Sequence, residues 1–551
     1  MIFKLLKLFA FSYVSCFSVC AQSPEILDPV VQKRHYLPDF SYAGYRNGSV
    51  PISFEADTVL AVESFGAFPD DGKDDSKALT KLLRSVKSID KKVLVRFPSG
   101  RFIISDILYL NRNNIVLQGN GSGENGTILY FPRPMKNFED PENLQELREY
   151  LVEFDKRQRE KDNNIDLPFS QYAWSGGMIW TKVDGERVKS YLPKYNRKLS
   201  VLAEIMKGKR GELQMTVKNP SELKVGEVVQ IAWFNKSGEN GTLIDEIYQT
   251  RKVKKIGSHH WNFEEEPLVK QQVRITGINR NVIEISSPLL INIDPKWEPV
   301  IMEWKHLENV GIEGFRIVFP MAETIAHHVE EGFNAIYLTR LYDSWVQDVS
   351  IENADAAILT EEVANVTIDQ VITTGEKLSH YSVYVGGVHN VLVKRLRVEN
   401  KVRHPLSFNT FATKSVFKEC EVHIDPILDQ HSGANHQNLF DNIEVNISLN
   451  GKTSYPLFAG GGAGYWKPSH GAFSTFWNIK VRFLDNLQAE NPILLNGMKD
   501  GPYARLIGVS GNKQIKINYG PEAYIEMTNE SIQFVPSLYD YQLEKRLLIK
   551  K

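Results

Sequence analysis

Between Lys305 and about Leu449 the chain repeats itself, and that periodicity limits its possible folds more than any other property. The apolar centres Ile336, Ile358, Val383 and Leu406 follow one another at 22, 25 and 23 residues. A second apolar column, Val349, Val371, Leu396 and Cys420, trails the first by 13, 13, 13 and 14 residues. Each second run is preceded, three residues earlier, by a turn-former: Asp343, Asn365 and Asn390. Asn and Asp tolerate left-handed backbone and bond their own main chain, so they suit a corner repeated coil after coil. Strand repeats of this length build a parallel β-solenoid, because one coil cannot bury its inner face and a stack of coils can. An antiparallel sandwich of similar strand spacing gives no reason to keep the same internal offset through four units.

Charge narrows the function. Lys and Arg number 65 against 67 Asp and Glu, so the chain has no excess field to collect polyanions, and a nucleic-acid partner is not expected. An acidic ligand must be met by local basic groups. Residues 1–21 read as an export leader: Lys4 and Lys7 flank an apolar run that ends at Val19-Cys20-Ala21 and is too short to span a bilayer. Acylation of Cys16 or Cys20 is the lipoprotein alternative, though neither follows the usual Leu and small-residue run. With the leader removed, no integral membrane segment is expected. Cys420 is then the one remaining cysteine and sits in an inward column as core filler, so this exported chain is stabilised by its core and not by disulfides.

Ahead of the repeat the chain carries Phe65-Gly66-Ala67-Phe68-Pro69-Asp70-Asp71-Gly72-Lys73-Asp74-Asp75-Ser76-Lys77-Ala78-Leu79, then the strand-like runs Val95 to Ser105 and Ile115 to Phe131. These stretches resemble the N-terminal cap and first coils of pectate-lyase-superfamily β-helix proteins of secreted bacterial type. The resemblance implies an all-β fold: a right-handed parallel β-helix with an inserted small β-domain and short capping helices. It does not imply one activity, since the superfamily includes lyases, glycoside hydrolases, epimerases and virus-borne spikes. It places the protein outside the cytoplasm of a bacterium: secreted, periplasmic or on the cell surface. The aspartates of the motif read as turn-formers and caps, with Asp75 or Ser76 capping a helix from Lys77. Calcium is the alternative, but no clear calcium motif is present and no cofactor is assigned.

The expected organisation is a leader (1–21), an N-terminal cap and first coils (22–136), a helical and loop excursion (137–195), an inserted β-domain (196–300), the main β-helix (301–530) and a C-terminal capping segment (531–551). The last of these is expected to cover the final open strand edge.

If Ile336, Ile358, Val383 and Leu406 point inward, alternation sends the residues at −3 and +1 outward. The −3 file reads Phe333, Asp355, His380 and Arg403, with His436 added by aligning Leu439 as the next coil. The +1 file reads Tyr337, Leu359, Tyr384, Ser407 and Phe440. Such a face suits elimination from a uronate: Arg403 forks the carboxylate, His380 takes the proton and Tyr384 returns one. His404 lies at the same corner. Asp429 and His431 form a base-and-orienter pair in the next turn. His328, Asp355, His436 and Trp466 are expected to touch the sugar chain, Trp466 by stacking, as Trp174, Trp180 and Trp261 also could. No metal ligand is assigned, since the spacing of His327, His328, Glu330 and Glu331 is weak evidence for zinc. The expected activity is a lyase on an acidic polysaccharide. A glycoside hydrolase using two of Asp355, Glu361, Glu362 and Asp429 is the alternative, and a noncatalytic glycan-binding solenoid is a third. The polygalacturonase-type motifs and the pectate-lyase calcium pattern are both absent from the sequence.

Overall fold

A computed structural model describes residues 23–139, 142–154, 169–186, 200–249, 263–431, 433–462, 467–485 and 491–549; the leader lies outside them. Helix α1 (Ser76–Val86) covers the start of the solenoid with Leu79, Leu82, Leu83 and Val86 buried. The aspartates before it are held by backbone N–H groups. Asp70 accepts from Arg101, Asp71 from Lys73, Asp74 from Ser76, and Asp75 from Phe68 and Ile103. Asp75 thus ties the motif to the next strand and does not cap α1 with its side chain.

The coils contribute to two large sheets whose neighbouring strands run parallel. The eight-stranded one consists of β1 (Leu108–Leu110), β2 (Ile179–Thr181), β3 (Asn334–Thr339), β4 (Ala356–Glu361), β5 (Ser379–Val385), β6 (Val402–Phe408), β7 (Leu428–His431) and β8 (Gly460–Gly461), in that spatial order. Ile336, Ile358, Val383 and Leu406 pair in register and are fully buried. On the 19-stranded sheet Val349 stacks on Val371, and Leu396 and Cys420 continue that buried column. The corner residues behave as their chemistry requires: Asp343, Asn365 and Asn390 have φ of 45°, 53° and 56°. A second left-handed corner recurs at Asp348, Gln370, Arg395, Glu419, Asn442 and Asn478. The result is a right-handed parallel β-helix.

Three expectations are corrected. The coil after Leu406 is centred on Leu428, which pairs with it, whereas Leu439 pairs with Val416 on the other sheet. Phe440 and His436 therefore leave the files assigned to them. Val300–Glu303 does not resume the solenoid; it closes a six-stranded antiparallel barrel by pairing with Val201–Lys207 and Val228–Phe234. The solenoid resumes at Leu307–Glu308. Helix α2 (Leu538–Ile549) does not cover the last edge. It lies along the flank, its first turn held by Asp441, which accepts from Ser537 Oγ and from the Leu538 and Tyr539 N–H groups. There it packs with Phe40, Leu392, Trp477 and Ile507.

Several histidines are buried inside this structure. Burial pushes His389 down to about 3, and His436 and His470 each down to about 4. Above an unfolded pKa of about 6.5 both states are neutral there; below it the unfolded chain takes up protons that the fold refuses. Each such site then removes about 1.4 kcal/mol of stability per pH unit. Asp441, raised to about 7 by burial, works in the opposite direction, as do the raised Asp75, Glu330 and Asp343, but the lowered His327, His328, His380 and His431 add to the three. Urea-unfolding midpoints should fall steadily from about pH 6.5 to about pH 4; a flat profile would contradict the neutral burial of these rings.

Candidate functional site

The outer face of the eight-stranded sheet is roofed, and the roof decides which predicted residues can meet a ligand. Between Val318 and Asn334 the chain folds back over β4 to β6. Asp355, 3% exposed, holds it there, accepting from the N–H groups of Gly332 (3.1 Å) and Phe333 (2.8 Å). Its other oxygen lies 2.6 Å from Nζ of the buried Lys377. Asp355 is therefore a structural anchor and not a sugar contact, because both its oxygens are engaged beneath the surface.

His380 stands in register with Asp355 and Arg403 as expected, but it is 2% exposed under the roof. It cannot touch a polysaccharide directly. Its Nε2 lies 3.1 Å from Nε2 of His327, and its Nδ1 lies 3.1 Å from Oε1 of Glu330. Glu330, His380 and His327 thus form a chain from the interior to a partly exposed ring. Burial, then the neighbouring imidazoles, keep His327 and His380 far below the usual histidine range, so both are neutral. His328 packs between His327 (ring centroids 3.6 Å) and Phe169 (3.9 Å), with Trp174 beside it, as part of an aromatic wall.

The rings continue along the flank. The N–H groups of His380 and Tyr381 both point at Asp355 O, a local irregularity that brings Tyr381 into the cluster with His380. Tyr381 stacks on His404 (5.0 Å) and meets Tyr384 edge-on (5.0 Å). Tyr384 is 7% exposed, while Arg403 and His404 are partly exposed at the rim. Burial, reinforced by Asp429, pushes the Tyr381 phenol well above 10.

Asp429 extends the +1 file, opposite Ser407, whose hydroxyl donates to Oδ2 (2.6 Å). Asn409 in turn donates to Ser407 Oγ (3.4 Å). The same Oδ2 lies 3.1 Å from Nδ1 of His404 and 3.3 Å from Nδ1 of His431. These approaches are out of line for hydrogen bonds, and both Nδ1 atoms are buried without one. Burial alone would raise the Asp429 carboxyl, but the two imidazoles outweigh it and hold it well below the usual range. His431 has room because its partner on β8 is Gly461; a Cβ there would sit 1.8 Å from Nδ1.

The structure thus gathers His380, Arg403, Tyr384, His404, Asp429, His431 and His328 on one flank. His436 is excluded: it pairs with Thr413 on the other sheet, is 2% exposed and directs Nδ1 to Ala434 O at 3.0 Å. Trp466 and Trp261 lie outside the described residues. Trp180 is a fully buried member of a Tyr109–Trp180–Tyr337 stack and no sugar platform. Glu361 and Glu362 are buried away from the rim, Glu362 against Arg340 and Lys270. The residues not chosen from sequence are His327, Glu330 and Tyr381. The His-His-x-Glu run on the longest connection between coils was their signal.

The fold and site define a β-helix protein with a histidine-rich cluster on its flank. No family model and no curated protein match the chain. Among solved structures, the tailspike protein gp49 of Pseudomonas phage LKA1 is 11% identical, with a TM-score of 0.45 over 85% of this chain and 79% of its own. The family 28 exopolygalacturonase of Yersinia enterocolitica is 11% identical, covering 86% and 79%, with a TM-score of 0.33. The mannuronan C-5 epimerase AlgE4 A-module of Azotobacter vinelandii is 10% identical, covering 87% and 98%, with a TM-score of 0.32. No helix among the described residues is long and apolar enough to cross a membrane.

Replacing Asp355 by Asn would leave Lys377 buried without its counter-charge, a change that costs about 3–5 kcal/mol. Hydrogen exchange of Asp355→Asn should quicken at Gly332 and Phe333 well beyond the change in α1. Equal protection in both proteins would show that the roof is held by something else.

Proposed function

We propose that the protein is a carbohydrate-active enzyme that cleaves an acidic polysaccharide by β-elimination on this flank. The observation that carries the reading is the Glu330–His380–His327 chain, which ends at a partly exposed imidazole on the same flank as Arg403. In the tautomer that carries its proton on Nδ1, on the side facing Glu330, His380 accepts at Nε2 from His327 Nε2–H. The remaining nitrogen of His327 is then the base. This moves the proton-abstracting role from His380 to the ring in front of it.

Arg403 would take the uronate carboxylate in a two-point fork, which makes the neighbouring C5–H more acidic. His327 removes that proton. Its electron pair becomes the C4–C5 double bond as the C4–O bond breaks, and Tyr384 protonates the departing oxygen. The proton on His327 then returns to Tyr384, restoring both groups. The leader read from the sequence would deliver the enzyme outside the cytoplasm, where such polymers lie.

The hydrolase reading has less support. It needs two available carboxylates, while Asp355 is an anchor, Glu362 is ion-paired and Asp429 is packed between imidazoles. Incubation with pectins, alginate, glycosaminoglycans and ulvan should yield a product with the ultraviolet absorbance of a conjugated unsaturated uronide. His327→Ala should slow that signal by about 10²–10⁴-fold, the usual worth of a positioned base. Arg403→Ala should chiefly raise KM. Reducing ends without the absorbance would make the enzyme a hydrolase, and no product at all would make it a binding solenoid.

A further inference from the structure

We infer that His404, Asp429 and His431 form a binding site for a divalent transition-metal ion of the zinc, cobalt or manganese kind. Two imidazoles and one carboxylate converge from rigid, adjacent strands, β6 and β7. The separations of 3.1 Å (His404 Nδ1 to Asp429 Oδ2) and 3.3 Å (His431 Nδ1 to Asp429 Oδ2) are those of neighbouring ligands around one ion. Ligands about 2.0–2.1 Å from a metal lie about 2.9–3.4 Å apart in octahedral or tetrahedral arrangements.

The hydrogen-bond pattern supports the same reading independently. Buried ring nitrogens are normally satisfied, and leaving one unpaired is costly. Here both nitrogens of His404 and Nδ1 of His431 are buried without a hydrogen bond. The two Nδ1 atoms face Asp429 Oδ2 at 3.1 and 3.3 Å without a hydrogen bond to it. Two imidazole nitrogens and a carboxylate oxygen converging in this way form a donor set that a cation can occupy. The support behind the ligands is also present: Ser407 donates to the ligating carboxylate, Asn409 donates to Ser407, and Gly461 keeps the space beside His431 Nδ1.

The donor set chooses the kind of metal. Two nitrogens and one oxygen favour zinc-like ions over calcium or magnesium, which take all-oxygen shells. The positive charge of Arg403, and that of Lys467 near His431, further disfavours an ion bound by charge alone. Three protein ligands leave coordination positions open toward the rim, where the ion would share a uronate carboxylate with Arg403. That last role rests on the polysaccharide reading; the site itself rests only on the three side chains.

The test uses the full mature chain, stripped with a chelator and titrated with zinc, cobalt and calcium by calorimetry. Cobalt absorbance gives a second readout of imidazole ligation. About one zinc or cobalt ion should bind per chain, with calcium far weaker. His431→Ala and Asp429→Asn should each weaken zinc at least about tenfold, with circular dichroism confirming the fold. His431 is the safer variant, because its side chain reaches the surface. Equal binding of calcium, no zinc binding by the wild type, or loss of zinc on changing His327 but not His431 would each overturn the site. If zinc binds as stated but no unsaturated product forms, the metal site stands and the elimination reading falls.

Discussion

Backbone hydrogen bonds between successive coils hold Ile358 beside Ile336, Val383 beside Ile358 and Leu406 beside Val383. Neighbouring parallel strands lie about 4.8 Å apart, so residues more than twenty positions apart in sequence become side-by-side neighbours. The in-register contacts of the histidine-rich flank depend on that ladder. It brings Asp355, His380 and Arg403 into one file and sets Ser407 against Asp429. The left-handed corners keep it in step, since a one-residue slip would turn each outward ring into the core.

The outward face is not simply open to water. The segment before Asn334 covers it, and one buried carboxylate with its lysine holds that cover down. This sorts the imidazoles into two environments. His380 becomes a buried intermediary, while His327, His404 and His431 remain near the rim. Burial also disfavours the charged form of His327, His380 and His431, which leaves neutral nitrogens able to accept a proton or bind a cation.

Much of this was legible in the sequence where it depends on alternation and spacing. The inward columns, the Asp343, Asn365 and Asn390 corners and the placing of Asp429 and His431 on one face all follow from a period of two and a repeated coil. Coil identity was harder. Leu428 lies in a strand whose other residues are polar (Asp429, Gln430, His431), so Leu439 in its more apolar run looked like the successor to Leu406. Val300–Glu303 is apolar enough for barrel or solenoid, and only its partners decide. The pairing of His327 with His380 spans 53 residues and depends on how a long connection folds back. No local pattern encodes that path.

The barrel does more than interrupt the coils. Its short helix Thr242–Tyr248 reaches the turn behind His431, where Tyr248 Oη accepts from the Ala434 N–H (3.0 Å) and Ile247 O accepts from Ala472 N (2.9 Å). From the same domain, Leu290 O accepts from the Gln437 side chain. The inserted module therefore acts as a brace against the far bank of the imidazole cluster. Any tilt of the barrel on the solenoid would be felt first at the strand end that carries His431, so the geometry of the flank is set jointly by both parts of the chain.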